Sequence, residues 1–372
     1  MTDFSRRAFL LQSPGLALSA GVAGSYATAA DPPEPIQEYS RGGMVYRRLG
    51  HSDLYVSLLS FGSHTNAAFK RRDKHGSDLT EKGQALRDRR IAKAFDLGVN
   101  MVDTYENAGQ WNPMARLVRT RRDKVLVSIC RQFPDFVGRN IEAAARLFGH
   151  VDLYRIYVGD GPAVSERTLE DWDVMRKAKT AGTVRAIGIS THSERMMLSA
   201  LEELEGLDYI MFPYNFIHAR ADYSQFLPTA VKEVIGLIAI KPLAAGSIVK
   251  LDPRAHPESK AENPQTQLYR ERNRAMLPAV VAKLTRSLNR LPDETLCQAA
   301  LRFVYARSFI TSAMPGMFQE HELTQNYDAL KRHVELSQDE RAALDAARTL
   351  STVYGQNWLP PHYRWLDERW RV

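Results

Sequence analysis

From Leu58 onward, short apolar runs alternate with longer stretches in which apolar residues recur every three or four positions. A short uninterrupted apolar run reads as a strand buried on both faces, and the longer period as a helix with one apolar face. The runs Leu58 to Phe61, Asn100 to Asp103, Val125 to Cys130, Val151 to Tyr157, Val184 to Ser190, Tyr209 to Pro213, Leu237 to Ile240 and Phe309 to Ala313 are the expected strands. The helices expected between and after them include Gln84 to Leu97, Phe136 to Phe148, Ser165 to Ala181, Arg195 to Leu204, Glu294 to Arg307 and Glu320 to His333. Strands that alternate with helices form a parallel sheet, and eight such pairs close into an α/β (β/α)8 TIM barrel. The alternating segment Val45 to Val56 ahead of the first pair is expected as a hairpin that plugs the barrel floor.

Two segments break the repeat. Gly246 to Pro292 is a long insertion after the seventh strand, polar at first and helical from Glu271 to Leu288, in the position of a lid over the pocket. The tail Tyr354 to Val372 carries Trp358, Trp365 and Trp370, which either cover the same mouth or staple the tail to the barrel's outside.

The head of the chain is of another kind. Ser5-Arg6-Arg7-Ala8-Phe9-Leu10, the weakly apolar run Leu11 to Gly24 and the small residues Ala27-Thr28-Ala29 form a twin-arginine export signal, cleaved after Ala29. The run contains Gln12, Ser13 and Pro14 and is too short to span a bilayer, so no stable membrane anchor is expected. The division is therefore 1–29 signal, 30–43 linker with a Pro-rich start, 44–347 barrel and 348–372 aromatic tail. The address is bacterial, periplasmic or secreted, with the twin-arginine translocase as partner during export.

Composition adds little except exclusions. With 44% hydrophobic and 25% charged residues the 372-residue chain has the make-up of a soluble globular protein. The formal charge of +7 is spread over segments such as Lys70-Arg71-Arg72 that also contain acids, which argues for solvated faces rather than nucleic-acid binding. Two cysteines, Cys130 and Cys297, fall in different expected elements, so neither a structural disulfide nor a cysteine metal cluster is expected.

Several segments in order, Val45 to Phe61, Gly98 to Gly109 (GVNMVDTYENAG), Arg122 to Ser128, Val151 to Tyr157 and Val184 to Ser190, resemble the aldo-keto reductases. The resemblance covers Met44 to about Ala347. It implies nicotinamide-dependent reduction of a carbonyl, or oxidation of an alcohol, with a tyrosine acid, a lysine that lowers its pKa, an aspartate paired with the lysine and a histidine that orients the carbonyl. Asp103 matches the aspartate, but Ala108, Cys130 and Tyr157 stand where the tyrosine, lysine and histidine belong. Lys124 and His150 begin their strands and lie at the wrong end to substitute. Tyr105 shares the face of Asp103 and is a candidate acid, or else a loop tyrosine on the rim; Tyr157 is a second candidate acid. Lys241 ends the seventh strand, either facing a nicotinamide or phosphate or pointing to solvent. Cys130 would be a nucleophile only with a lowered pKa and is otherwise a small buried filler. Without its lysine, Asp103 needs another cation; Arg131 and Arg155 are available, and Arg155 has the strand parity to reach it.

The resemblance places the nucleotide at Ser190, Thr191, Met211, Tyr214, Pro242, Leu243, Gly316, Gln325 and Asn326. Ser190 is retained, Thr191 replaces an asparagine and Met211 a glutamine. Met314-Pro315-Gly316-Met317 matches the phosphate-binding turn, where backbone N–H groups favour an anion. Glu322 follows where an arginine is usual and would repel a ribose phosphate. Gly316 and Asn326 would in any case serve as helix caps. The implied site takes NAD(P)H weakly, NADH less penalised than NADPH, with no metal and no iron-sulfur cluster. Two readings follow: an atypical NAD(P)(H)-dependent carbonyl or alcohol oxidoreductase, or a non-catalytic exported barrel that binds a ligand or protein partner.

Overall fold

The computed structural model describes residues 36–62, 79–104, 110–131, 136–159, 161–215, 225–243, 291 and 293–331. The head, the expected insertion helix and the Trp-rich tail lie outside the described residues, as do Tyr105 and Ala108.

Seven parallel strands hydrogen-bond in the order β10-β9-β8-β7-β6-β5-β4. They are β4 (Met101–Asp103), β5 (Leu126–Cys130), β6 (Val151–Tyr157), β7 (Val184–Ser190), β8 (Tyr209–Pro213), β9 (Gly236–Ile240) and β10 (Ser312–Met314). Between the two edge strands runs the segment Leu58 to Phe61, with Leu59 bridged to Ala313 and Phe61 to Val102, both parallel. The Phe61 N–H donates to Met101 O and the Asp103 N–H to Phe61 O, while the Ala313 N–H donates to Leu58 O. The expected first strand thus closes the sheet into the (β/α)8 barrel, although it is held by isolated bridges.

The outer layer is α1 (Glu81–Asp96), α2 (Trp111–Val118), α3 (Val137–Phe148), α4 (Glu166–Thr180), α5 (Glu194–Glu203), α6 (Phe226–Lys232), α7 (Leu296–Tyr305) and α8 (Glu320–Lys331). Local chemistry starts several of them. Thr80 accepts the Gly83 N–H ahead of α1, and Ser165 accepts the Thr168 N–H ahead of α4. Thr295 and Gln298 form a reciprocal capping box on α7. In α3 the buried residues Val137, Ile141, Ala144 and Phe148 follow the helical period and face the sheet. The short helices α2 and α6 are not among the expected ones. Pro113 and Pro228 stand in their first turns, where proline is tolerated, and each buries only a few apolar residues.

The hairpin proves to be a three-stranded antiparallel sheet, β1 (Glu38–Arg41), β2 (Met44–Arg48) and β3 (Tyr55–Ser57). β1 falls within the stretch 30–43 read as linker; its residues are exposed and polar, so no apolar pattern marked it. Leu49, Leu54 and Val56 pack against Met101, Leu153, Ala186, Tyr209, Met211 and Ile238, which fills the lower barrel. Each such buried aliphatic side chain contributes roughly 1.5–3 kcal/mol. Gly188 is required beside Tyr209: a Cβ there would meet Tyr209 O at 2.5 Å and its ring at 2.6 Å. The floor is tied to the last repeat by Arg47, whose guanidinium donates to the carbonyls of Tyr305 (3.2 Å), Arg307 (2.9 Å) and Ile310 (2.6 Å).

Candidate active site

Alternation along parallel strands brings Asp103, Ser128 and Arg155 together inside the barrel. Asp103 is in register with Ser128, and Arg155 with Cys130 on the same strand as Ser128. Ser128 Oγ donates to Asp103 Oδ1 at 2.7 Å. Arg155 Nη1 donates to Oδ1 at 2.5 Å and Nη2 to Oδ2 at 3.0 Å, a two-pronged pair, and Nη1 also reaches Ser128 Oγ at 3.0 Å. Burial works to lower the Arg155 pKa, yet the Asp103 carboxylate outweighs it and holds the guanidinium above its ordinary value. Arg131, the other expected cation, pairs with Asp171 of α4 instead.

Cys130, next to this pair, is buried, and desolvation pushes its thiol up, with Arg155 and Arg131 opposing and Asp103 adding. A thiol kept protonated is a poor nucleophile, which accords with a small buried filler at Cys130.

The protonatable groups gather one level higher, at the carboxyl ends of β6, β7 and β9. Tyr157 closes β6, is 39% exposed and is in register with Ser190. Two residues beyond Ser190 comes His192, whose ring lies 5.7 Å from the Tyr157 ring, centroid to centroid. Lys241 follows β9, and its Nζ is 2.7 Å from His192 Nε2.

The backbone builds this cluster. Thr191 Oγ1 donates to Gly159 O at 2.7 Å and accepts the Ser193 N–H at 3.1 Å. Ser193 in turn caps α5 by accepting the Met196 N–H, so His192 is pinned on both sides. Lys241 adopts φ 55, left-handed for a side-chain-bearing residue, and its carbonyl accepts Asn215 Nδ2 at 3.1 Å. Backbone strain of this kind costs on the order of 1–3 kcal/mol and collects at functional sites.

Burial, and secondarily the Lys241 charge, lowers His192 to about 2, so the imidazole is neutral. Burial lowers Lys241 to about 8. The pair is an ammonium, poised to lose its proton near neutral pH, donating to a neutral ring. Lys241 is part-buried, with its amine turned to His192. His192 escaped the sequence reading because its partner is 49 residues away and nothing local marks it.

The nucleotide positions divide. Tyr214 is fully buried, stacked on Phe303 at 5.8 Å and edge-on to Phe309, and Leu243 belongs to the same outer core. Pro242 is buried between Lys241 and Leu243. Met211 fills the barrel interior, and Thr191 is spent on its own loop. Ser190 stays part-buried at the mouth and Gly316 is exposed. Asn326 donates to Gly316 O at 3.4 Å, while the Gln325 carbonyl accepts Gln298 Nε2 at 3.5 Å. Glu322 accepts the N–H groups of Phe318 at 2.5 Å and Gln319 at 2.8 Å, which places a carboxylate on the turn expected to receive phosphate. Among the described residues no group of three His, Cys, Asp or Glu is placed to hold a metal.

A closed parallel barrel plugged from below carries its protonatable side chains at the strands' carboxyl ends, the end at which such barrels form their sites. The sequence profile of the Aldo/keto reductase family matches residues 75–349, and the chain belongs to that family. Over 334 residues, 82% of this chain and 92% of the relative, it is 25% identical to the L-glyceraldehyde 3-phosphate reductase of Escherichia coli O157:H7. It is 29% identical over 123 residues, 30% of this chain and 43% of the relative, to the 2,5-diketo-D-gluconic acid reductase B of Corynebacterium sp. (strain SHS752001). In fold it is similar to the holo form of the aldo-keto reductase AKR11C1 from Bacillus halodurans, with TM-score 0.58, 19% identity, and coverage of 81% of this chain and 95% of that one.

Proposed function

We propose that this chain is an NADH-linked carbonyl or alcohol oxidoreductase whose proton donor has moved from the family positions to Lys241. The observation that carries the reading is the Lys241 Nζ to His192 Nε2 contact of 2.7 Å at the barrel mouth, beside Tyr157. An acid works best when its pKa is near the operating pH, and a part-buried ammonium lowered to about 8 meets that requirement. His192, neutral, accepts from it and fixes its direction, and Tyr157 walls the mouth.

The dinucleotide fits as NADH better than as NADPH. The Glu322 carboxylate can accept a ribose hydroxyl but would face a 2′-phosphate with like charge. Ser190 would lie at the nicotinamide end, and Gly316, Glu322 and Gln325 at the ribose end. Once bound, NADH supplies hydride; the protein's part is to orient the carbonyl and to deliver a proton to the nascent alkoxide oxygen.

Fluorescence titration with NADH and NADPH tests this: NADH binding at least about tenfold tighter is expected, and no binding of either at millimolar concentration overturns it. One observation favours the competing reading of a silent barrel. Asp103 is locked to Arg155 and so is lost to the family's proton route. An aldehyde panel with NADH separates the two, since a silent barrel turns over nothing. We further propose export through the twin-arginine translocase and a periplasmic or secreted address; fractionation of cells expressing the chain with and without Arg6→Lys and Arg7→Lys tests it.

A further inference from the structure

We infer that Lys241 is also an amine nucleophile, and that the barrel mouth captures aldehydes and ketones as imines in the absence of any nucleotide. This goes beyond the oxidoreductase reading and does not require it. Three observations carry it. Lys241 stands at the carboxyl end of a barrel strand, at the same level as the part-exposed Tyr157. Its left-handed backbone, held by Asn215, turns the residue out of the strand's regular alternation. Its Nζ is within hydrogen-bond reach of a ring nitrogen that accepts an N–H, which holds the amine in one direction.

The step balances. Nζ forms a C–N bond to the carbonyl carbon as the C=O π pair moves to oxygen, which takes up one of the amine's protons. A second proton, from water, converts the hydroxyl to water. The C–O bond breaks and leaves a protonated imine on Lys241.

Burial supports the chemistry, because an amine at about 8 has a far larger neutral fraction at neutral pH than one at 10.5. The neighbouring imidazole is neutral and adds no opposing charge.

The test uses the whole protein without nucleotide, treated with benzaldehyde and sodium cyanoborohydride at pH 8, with each lysine followed by peptide mass spectrometry. The benzyl adduct is expected on Lys241 at least about tenfold faster than on exposed lysines such as Lys82 and Lys232. Labelling of Lys241 no faster than theirs overturns the proposal. Lys241→Arg should lose the fast adduct; a fast adduct persisting elsewhere in that variant also overturns it. Should it misfold, the wild-type map decides alone. Fast capture with no NADH binding would sink the reductase reading and leave this one standing.

Discussion

Arg155 grips Asp103 with both terminal nitrogens, at 2.5 and 3.0 Å, and so occupies the carboxylate that in the family serves a lysine. Both side chains are almost wholly buried, at 4% and 0% exposure. Removing one partner strands a charge in the barrel. Arg155→Met is expected to cost about 3–5 kcal/mol. Asp103→Leu combined with Arg155→Met should recover much of that loss. Urea denaturation of the two single variants and the double checks it; a double variant no more stable than the worse single would contradict the pairing.

The Lys241 amine makes stability depend on alkaline pH. Its folded pKa, about 8, lies below the ordinary 10.5. Below pH 8 both states are protonated and the folded state bears the full cost of a buried charge. Between pH 8 and 10.5 the unfolded chain still holds a proton that the folded chain has released, so stability rises across that window. Lys241→Met should therefore stabilise the protein by roughly 2–3 kcal/mol at pH 7, with the advantage shrinking to little by pH 10.5. Denaturation midpoints at pH 7, 9 and 10.5 measure it.

His192 acts at the opposite end of the scale. Its folded pKa, lowered by burial and by Lys241 to about 2, sits below the ordinary 6.5. As pH falls from 6.5 toward 2 the unfolded chain takes up a proton that the folded chain refuses, and stability drops. His192→Gln should flatten this part of the acid-unfolding curve, read by circular dichroism; an unchanged curve would show that the part-buried His192 ring does not resist protonation.

At the turn before α8, Glu322→Gln keeps a hydrogen-bond acceptor for Phe318 and Gln319 but removes the negative charge. The NADPH dissociation constant should fall severalfold in that variant while that for NADH changes little, by the same fluorescence titration. A loss of about 0.5–2 kcal/mol in stability is expected only for Glu322→Ala, which removes the cap itself.

Inside the barrel, Gly188→Ala should prevent or severely weaken folding. Its Cβ would meet the Tyr209 backbone oxygen at 2.5 Å, and backbone cannot swing aside. Thermal unfolding of the soluble fraction gives the readout.

Repetition made the barrel legible in the chain. Val151 to Tyr157 and Val184 to Ser190 appear as β6 and β7 with the bounds their apolar runs set. The same period-two logic put Arg155 on the face of Asp103. β1 was not legible because Glu38 to Arg41 is exposed and charged, and a strand with no buried face leaves no hydrophobic trace. The floor of the site was readable because neighbouring strands fix it through register. The Lys241 to His192 contact was not, since it joins two loops whose approach depends on a left-handed backbone at Lys241 and on Thr191 clasping Gly159. The packing of Tyr214 was not legible for a related reason: a motif position says which residue stands there, and the contacts with Phe303 and Phe309 come from elements far along the chain.

The seam of the sheet has a kinetic meaning. Ser60 and Ser312 meet across it, 252 residues apart, with their hydroxyl oxygens 2.5 Å from each other. No ribosome-bound fragment shorter than the eighth repeat can complete this ring, and a contact of such sequence separation forms slowly. The nascent polypeptide must therefore wait with an open β edge until almost all of it has emerged. That interval is when a chaperone would be needed, and when a truncated product would aggregate rather than persist.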